Sequence, residues 1–311
     1  MSDTSKSDFL SAAFGAYDAL TEPHLQSRSP VPSNTRHNER AKLLRRGLYV
    51  VSFNLLEDFM KKRMSACLDA ISLRGVPFAD LPDKLQEAAI VSAFSNGLNR
   101  SSFDRLQKKQ VLQEVAAAVA STSAYSTYQI HKYSLLHSGS NITSDEINKA
   151  LQALHIERPW ETLNAIAAST GIGGIPIVDR FKSCLQTRHE AAHNLAAVEI
   201  SDIDELLGLA TLLAFGFDTA ISAGTSRILD KQKTTAKTKK IEPNDISVHT
   251  VEEFSNGWGQ PNRLGRPTKL FESQRDAVWA VAKRKKYPDV VLAKRLSGGI
   301  ADWEFADPSL P

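Results

Sequence analysis

The chain has 311 residues, 42% of them hydrophobic, and a formal net charge of +3, which describes a globular protein of one large domain or a main domain with a smaller one attached. Met1 to Asp8 lacks a basic region followed by an apolar run, and no apolar segment approaches about 18 uninterrupted residues, so neither export nor membrane spanning is expected. Cys67 and Cys184 both fall in apolar helical patterns, as core residues of a reducing, cytoplasmic protein do rather than a disulfide framework.

Residues 1–33 read as a polar lead-in, closed by Pro23, Pro30 and Pro32, with a short helical possibility from Phe9 to Leu20. From Asn34 the pattern turns strongly helical. Arg36 to Ile71 carries Leu44, Leu48, Val51, Leu55 and Phe59 on one face and Val50, Phe53, Met60 and Met64 on another, which predicts a helix in the middle of a bundle. Glu57 shares the second face, where a bare carboxylate costs several kcal/mol unless paired or protonated. It is the candidate partner of Arg188, with a local pair to Lys61 as the plain alternative.

After the break at Gly75, Pro77 and Pro82, short helical patterns run over Asp83 to Phe94 and a long one over Arg105 to His137. Thr143-Ser-Asp-Glu146 is a capping box opening a helix to His155, and Pro159 starts another. Thr170-Gly-Ile-Gly-Gly174 has three glycines but no preceding strand and no following Gly-Lys-Ser/Thr, so it reads as a loop leading into the next helix.

That helix, about Pro176 to Val198, holds Arg188, His189, Glu190 and His193 within six residues. At about 100° per residue, Ile177, Phe181, Cys184, Leu185, Ala192 and Leu195 form one apolar stripe with Arg188 in its middle, and His189 and His193 sit at its flank. A guanidinium there needs a carboxylate or a polar cavity. Ser201 and Asp202 are expected to cap a second apolar helix, Ile203 to Ile221, antiparallel to the first. Residues 230–245 form a basic, exposed linker pattern. Residues 246–311 are read as a small basic C-terminal module anchored by Trp258, Trp279 and Trp303, with a helix from Glu272 to Lys286, another from Val290 to Leu296, and no assigned overall fold. From Lys231 onward there are roughly fifteen Lys and Arg against about ten Asp and Glu, and Lys283, Arg284, Lys285 and Lys286 are candidate RNA-binding residues.

Two chemistries compete on the site helix. His189-Glu190-Ala-Ala-His193 has the H-E-x-x-H spacing of a zinc peptidase, but its third ligand could only come from Glu199, Glu205 or Asp218, with no Gly-x-x-His after His193. Arg188-x4-His193 is a metal-free pair suited to cutting a phosphodiester. An imidazole, whose ordinary pKa is about 6.5, can move the proton of an RNA 2′-hydroxyl or of the leaving 5′-oxygen, while the arginine neutralises charge on the phosphorane. A third possibility is an internal polar network in a non-catalytic module that binds RNA, nucleotide or a partner.

With Arg188 and His193 on the penultimate helix of an all-helical bundle, and Asn38-Glu-Arg-Ala-Lys-Leu-Leu-Arg-Arg-Gly-Leu48 running into Phe53-Asn-Leu-Leu-Glu-Asp-Phe59, the chain resembles the HEPN superfamily (higher eukaryotes and prokaryotes nucleotide-binding) over about residues 35 to 225. Its pattern is similar to the RiboL-PSP type. The resemblance implies an all-α, HEPN-like bundle over residues 34–229 and a metal-independent endoribonuclease with no cofactor. It further implies a homodimer with facing motif helices, and a role as a toxin or phage-defence effector that an antitoxin or other regulatory partner restrains. It makes Arg188 and His193 the catalytic pair and matches Glu57 to the acidic residue that supports the arginine. His189 and Asn194 are read as supporting residues.

Overall fold

The computed structural model describes residues 4–103, 108–124, 127–139, 141–171, 176–193, 196–229, 240–285 and 289–306. They fall into two compact units, one built from Met1–Phe59 with Gly174–Phe215, the other from Met60–Gly173 with Gly216–Pro311.

The first unit begins with α1 (Thr4–Ala19), which buries Phe9, Leu10, Ala13 and Ala16. The expected lead-in is therefore folded, with the Phe9 ring 4.9 Å from that of Phe59. The proline-rich stretch that follows is held to the start of α2 (Thr35–Leu73) by side chains. Asn38 accepts from Arg28 N at 2.8 Å and donates to Arg28 O at 3.1 Å, and the His37 ring lies 2.9 Å from Gln26 O.

The two apolar faces of α2 have different fates. Phe53, Met60 and Met64 are buried to within 1%. On the other face Phe59 is buried but Leu44 is 42% and Val51 53% exposed, which corrects the expectation of a helix covered along both sides. The deepest polar group here is Arg45, 2% exposed. Its Nε donates to Val198 O at 2.7 Å, its Nη1 donates to Leu25 O at 3.1 Å and Ser27 Oγ at 2.9 Å, and its Nη2 lies 3.5 Å from Glu199 Oε2. One guanidinium thus ties the N-terminal stretch and α2 to Val198 and Glu199, which lie after α8 (Ile177–His193) and lead into α9 (Ile200–Leu229).

α9 starts three residues before its expected beginning. Its cap is Glu199, whose N–H donates to the Asp202 carboxylate at 2.8 Å, the reach-back half of a capping box. The helix is long and apolar enough to cross a membrane, but 94% of that window is buried, which makes it a core helix.

In the second unit the long helix expected from Arg105 to His137 is divided. α5 (Lys108–Ser121) ends it, and a short 3₁₀ turn, Lys132–Ser134, follows an extended stretch. Before them, α3 (Asp83–Glu87) passes through a π-helical turn, Ala88–Ser92, into α4 (Ala93–Phe103).

The capping box of α6 (Ser144–Ala153) is present, with Thr143 Oγ1 accepting from Glu146 N and Glu146 Oε2 accepting from Thr143 N. The helix ends in a Schellman motif. Ile156 N donates to Leu151 O and His155 N to Gln152 O, with His155 at φ 65° in the position glycine usually takes. Gly224 of α9 lies against this end; a Cβ there would stand 2.5 Å from Leu154 O. α7 (Pro159–Ser169) follows with proline in its first turn. Part of the expected exposed linker is pinned here too, because buried Ile241 bridges Ile156 in parallel and Arg158 pairs with Glu242 at 2.9 Å.

The C-terminal module departs from the all-α expectation. It is a five-stranded sheet in the order β3-β2-β1-β4-β5, from β1 (Val248–Phe254), β2 (Gly257–Pro261), β3 (Pro267–Phe271), β4 (Val290–Lys294) and β5 (Ile300–Phe305). β1 and β4 pair in parallel and the other neighbours are antiparallel. Val290-Val-Leu-Ala-Lys294, expected as helix, is a strand with its first four residues buried, and a short apolar run covered on both faces carries no period to separate the two.

α10 (Gln274–Ala282) is the shortened form of the expected basic helix and packs Ala277, Val278, Val281 and Ala282 on Val251, Val291, Ala293 and Ala301. From the sheet, Trp303, fully buried, donates its indole N–H to Asp218 Oδ2 at 2.7 Å. Asp218 Oδ1 accepts from Arg63 Nε at 2.7 Å, and Arg63 Nη2 donates to Ser222 Oγ at 3.4 Å. Lys294 Nζ donates to Thr170 O at 3.0 Å. The module is joined to α2, α7 and α9 through these polar contacts.

Three substitutions test these contacts by stability. Trp303→Phe keeps an aromatic side chain but removes the indole donor to a buried carboxylate, and is expected to cost about 1.5–3 kcal/mol in urea unfolding; Asp218→Ala, which removes the carboxylate that faces Arg63, is expected to cost about 3–5 kcal/mol. Gly224→Ala forces α9 away from the α6 terminus and is expected to cost about 1–3 kcal/mol, read from the same midpoint.

Candidate active site

The site helix α8 begins at Pro176, whose carbonyl accepts from Asp179 N and Arg180 N. Asp179 in the first turn and His193 in the last match the two ends of the helix dipole. Ile177, Phe181, Cys184 and Ala191 are its buried residues, so the predicted apolar stripe holds for its first half, while Ala192 is exposed and the neighbouring Ala191 is buried in its place.

Three contacts to α2 fix its register. The Phe181 ring stacks on Phe53 at 5.8 Å between centroids. The Tyr49 hydroxyl donates to Cys184 O at 3.3 Å, and burial, with Cys184 beside it, pushes the Tyr49 hydroxyl far above its ordinary pKa, so it remains a donor. The third contact is Arg188 Nη2 donating to Asn54 Oδ1 at 3.5 Å.

Arg188 is half-buried, and its Nε is enclosed without a hydrogen-bond partner among the described residues. Such a donor costs about 1–3 kcal/mol, and in a site it marks a place for an acceptor from outside. Asn54 is an uncharged acceptor at the outer limit of hydrogen-bond distance, so it orients the fork without neutralising it. Sequence reasoning missed it, although it stands in the Phe53-Asn-Leu-Leu-Glu57 stretch; an amide three residues before the inward carboxylate was the available signal. Glu57 is buried at 6% exposure, as its position on the inward face predicted. The hydrogen bond made by Arg188 goes to Asn54, one turn earlier on α2.

His189 and His193 lie one turn apart and exposed, their ring centroids 4.8 Å from each other at an interplanar angle of 51°. Both imidazoles are open to a ligand arriving from solvent, on the same helix as the half-buried guanidinium. Asn194 and Lys286 lie outside the described residues. Lys283 and Arg284 are exposed and Lys285 is intermediate, all just beyond α10; they belong to the second unit and Arg188 to the first.

The zinc alternative finds its carboxylates engaged. Glu190 accepts from Gln186 Nε2 at 2.9 Å. Of the third-ligand candidates, Glu199 faces Arg45, Glu205 lies 3.7 Å from Arg180, and Asp218 is taken by Arg63 and Trp303. Among the described residues no three His, Cys, Asp or Glu side chains are grouped to hold a metal ion.

No curated protein and no solved structure matches the chain. A family model does: the MAE_28990-like HEPN family, over residues 22–214. This stretch contains Asn54, Glu57, Arg188, His189 and His193. It agrees with the superfamily inferred from the first-helix pattern and the R-x4-H element, while the RiboL-PSP subtype is not the one it names. With well over half its length matched, and with the arginine and histidine of that element on one helix packed against α2, the chain belongs to the MAE_28990-like HEPN family.

Proposed function

We propose that the protein is a metal-independent endoribonuclease that cleaves RNA by attack of a 2′-hydroxyl on the adjacent phosphate. The observation that carries this reading is Arg188, half-buried and, among the described residues, with an unpaired Nε and an amide rather than a carboxylate as its hydrogen-bond acceptor, on the same helix as the exposed His193. A phosphate oxygen supplies the charged acceptor that Asn54 does not, and the planar fork suits two such oxygens.

His193 takes the 2′-hydroxyl proton or protonates the leaving 5′-oxygen. The first step forms a 2′,3′-cyclic phosphate and breaks the P–O5′ bond. Arg188 stabilises the added charge of the phosphorane. Glu57 acts on the arginine's surroundings from α2, and His189 lies against His193.

One histidine cannot be acid and base in the same step, so a second copy of the site is part of the proposal. Leu44 and Val51, together with Leu43 at 61% exposure, leave apolar surface on α2 outside the contacts of a single chain. α2 also carries Asn54, so a homodimer through this face would bring two Arg188–His193 pairs to one composite site. In the cell such a nuclease fits a cytoplasmic toxin or phage-defence effector, with an antitoxin or regulatory partner restraining it.

Purified protein is expected to cut RNA in EDTA, to leave cyclic phosphate ends, and to lose at least about 100-fold in rate with His193→Ala, while Glu190→Ala keeps its activity. Cleavage that disappears with EDTA or with Glu190→Ala would return the site to zinc chemistry. The double variant Leu44→Asp, Val51→Asp is expected to sediment as a monomer, to melt like the parent and to lose cleavage; a variant that stays dimeric removes the α2 face as the interface.

A further inference from the structure

The outer face of α10 does something different from its inner one. Ala277, Val278, Val281 and Ala282 fill the sheet-side core, whereas Trp279 is 63% exposed, so it is not the anchor its residue type suggested. Arg275 and Lys283 stand one turn before and one turn after it, both exposed. The Lys283 ammonium lies 4.2 Å from the Trp279 ring centroid. Asp276, the one acid within α10, is turned to the helix start, where its carboxylate accepts from Ser273 Oγ at 2.8 Å. The neighbouring strand β3 repeats the pairing, with Lys269 Nζ 4.9 Å from the Phe271 ring centroid.

We propose that Arg275, Trp279 and Lys283 form a binding platform for single-stranded nucleic acid, with one base stacked on the Trp279 indole and backbone phosphates held by the cations on either side. Residues four apart on a helix have Cβ atoms about 5–6 Å apart, so Arg275 and Lys283 stand about 12 Å apart along the axis, and their long side chains reach phosphates on either side of a base stacked on the ring between them. Base stacking on an aromatic ring accepts any base, because each has a π face. The cation already over the ring can pass to a phosphate and leave that face of the indole to the base.

A protein partner would call for contiguous apolar area around the ring, and a membrane surface for several apolar side chains along the helix. The outward face of α10 offers one aromatic set among cations, which favours the polynucleotide. This platform goes beyond the cleavage chemistry and does not depend on it. It adds Trp279 and Arg275 to the basic residues after α10 and specifies the strandedness of what they bind.

The test is fluorescence anisotropy of labelled oligouridine with the full chain carrying His193→Ala to prevent cleavage, beside oligothymidine and a blunt RNA duplex. Trp279→Ala is expected to weaken single-strand binding about tenfold, and Trp279→Phe to retain most of it. Lys283→Gln and Arg275→Gln are each expected to lower the slope of log affinity against log salt by about 0.7. The duplex is expected to bind more weakly and without dependence on Trp279.

Trp279→Ala binding as tightly as the parent, or a duplex bound as well as a single strand, would overturn the platform. Trp279-dependent binding by a protein that never cleaves RNA would support it and count against the nuclease. Cleavage with binding indifferent to Trp279 would do the reverse.

Discussion

Burying a guanidinium is tolerable only when its donors find oxygens, and α2 buries two. Arg45 spends its donors on two backbone carbonyls, a hydroxyl and a carboxylate at the surface, and Arg63 meets a buried aspartate. Each satisfied arginine fixes the position of the segments that supply its acceptors. Arg45 holds the residues that lead into α9, through Val198 and Glu199. Arg188 is the exception in the same fold: half-enclosed, oriented by one amide, and short of an acceptor. The contrast between arginines that are used up by structure and one that is not is what separates scaffold from site.

The parts legible in the sequence were those governed by local rules. The capping box at Thr143 and Glu146 is present because both partners lie within four residues. The inward placement of Phe181, Cys184 and Glu57 follows from helical period alone. Arg45 stood in plain view in the Arg-Arg pair before Gly47, but its acceptors are as many as 153 residues away, and nothing local marks it as buried. The same holds for the outer face of α2, where Leu44 and Val51 obey the periodicity of a covered helix while remaining open.

The C-terminal region shows a different failure. Val290 to Lys294 is a buried central strand whose continuous apolar run is as compatible with helix as with sheet. Trp258, Trp279 and Trp303 looked alike as anchors, yet they are partly buried against the core, exposed and fully buried respectively. Burial of a tryptophan is decided by what packs above it, which a single sequence does not display. The H-E-x-x-H spacing is a related ambiguity: two histidines one turn apart arise from any helix that presents both, and the remaining ligands are what carry meaning. Here the candidate carboxylates are bound to Arg45, Arg180 and Arg63.

Asp218 accepts from both Arg63 on α2 and Trp303 on the last strand. A carboxylate shared in this way makes folding cooperative across a long sequence separation. The sheet cannot peel from its helices without stripping a buried charge of its indole donor, which couples the last strand to the middle of the chain. Cutting the chain before β5 would therefore not liberate a self-sufficient helical protein; it would leave a helix pair carrying an ionic contact built for three participants.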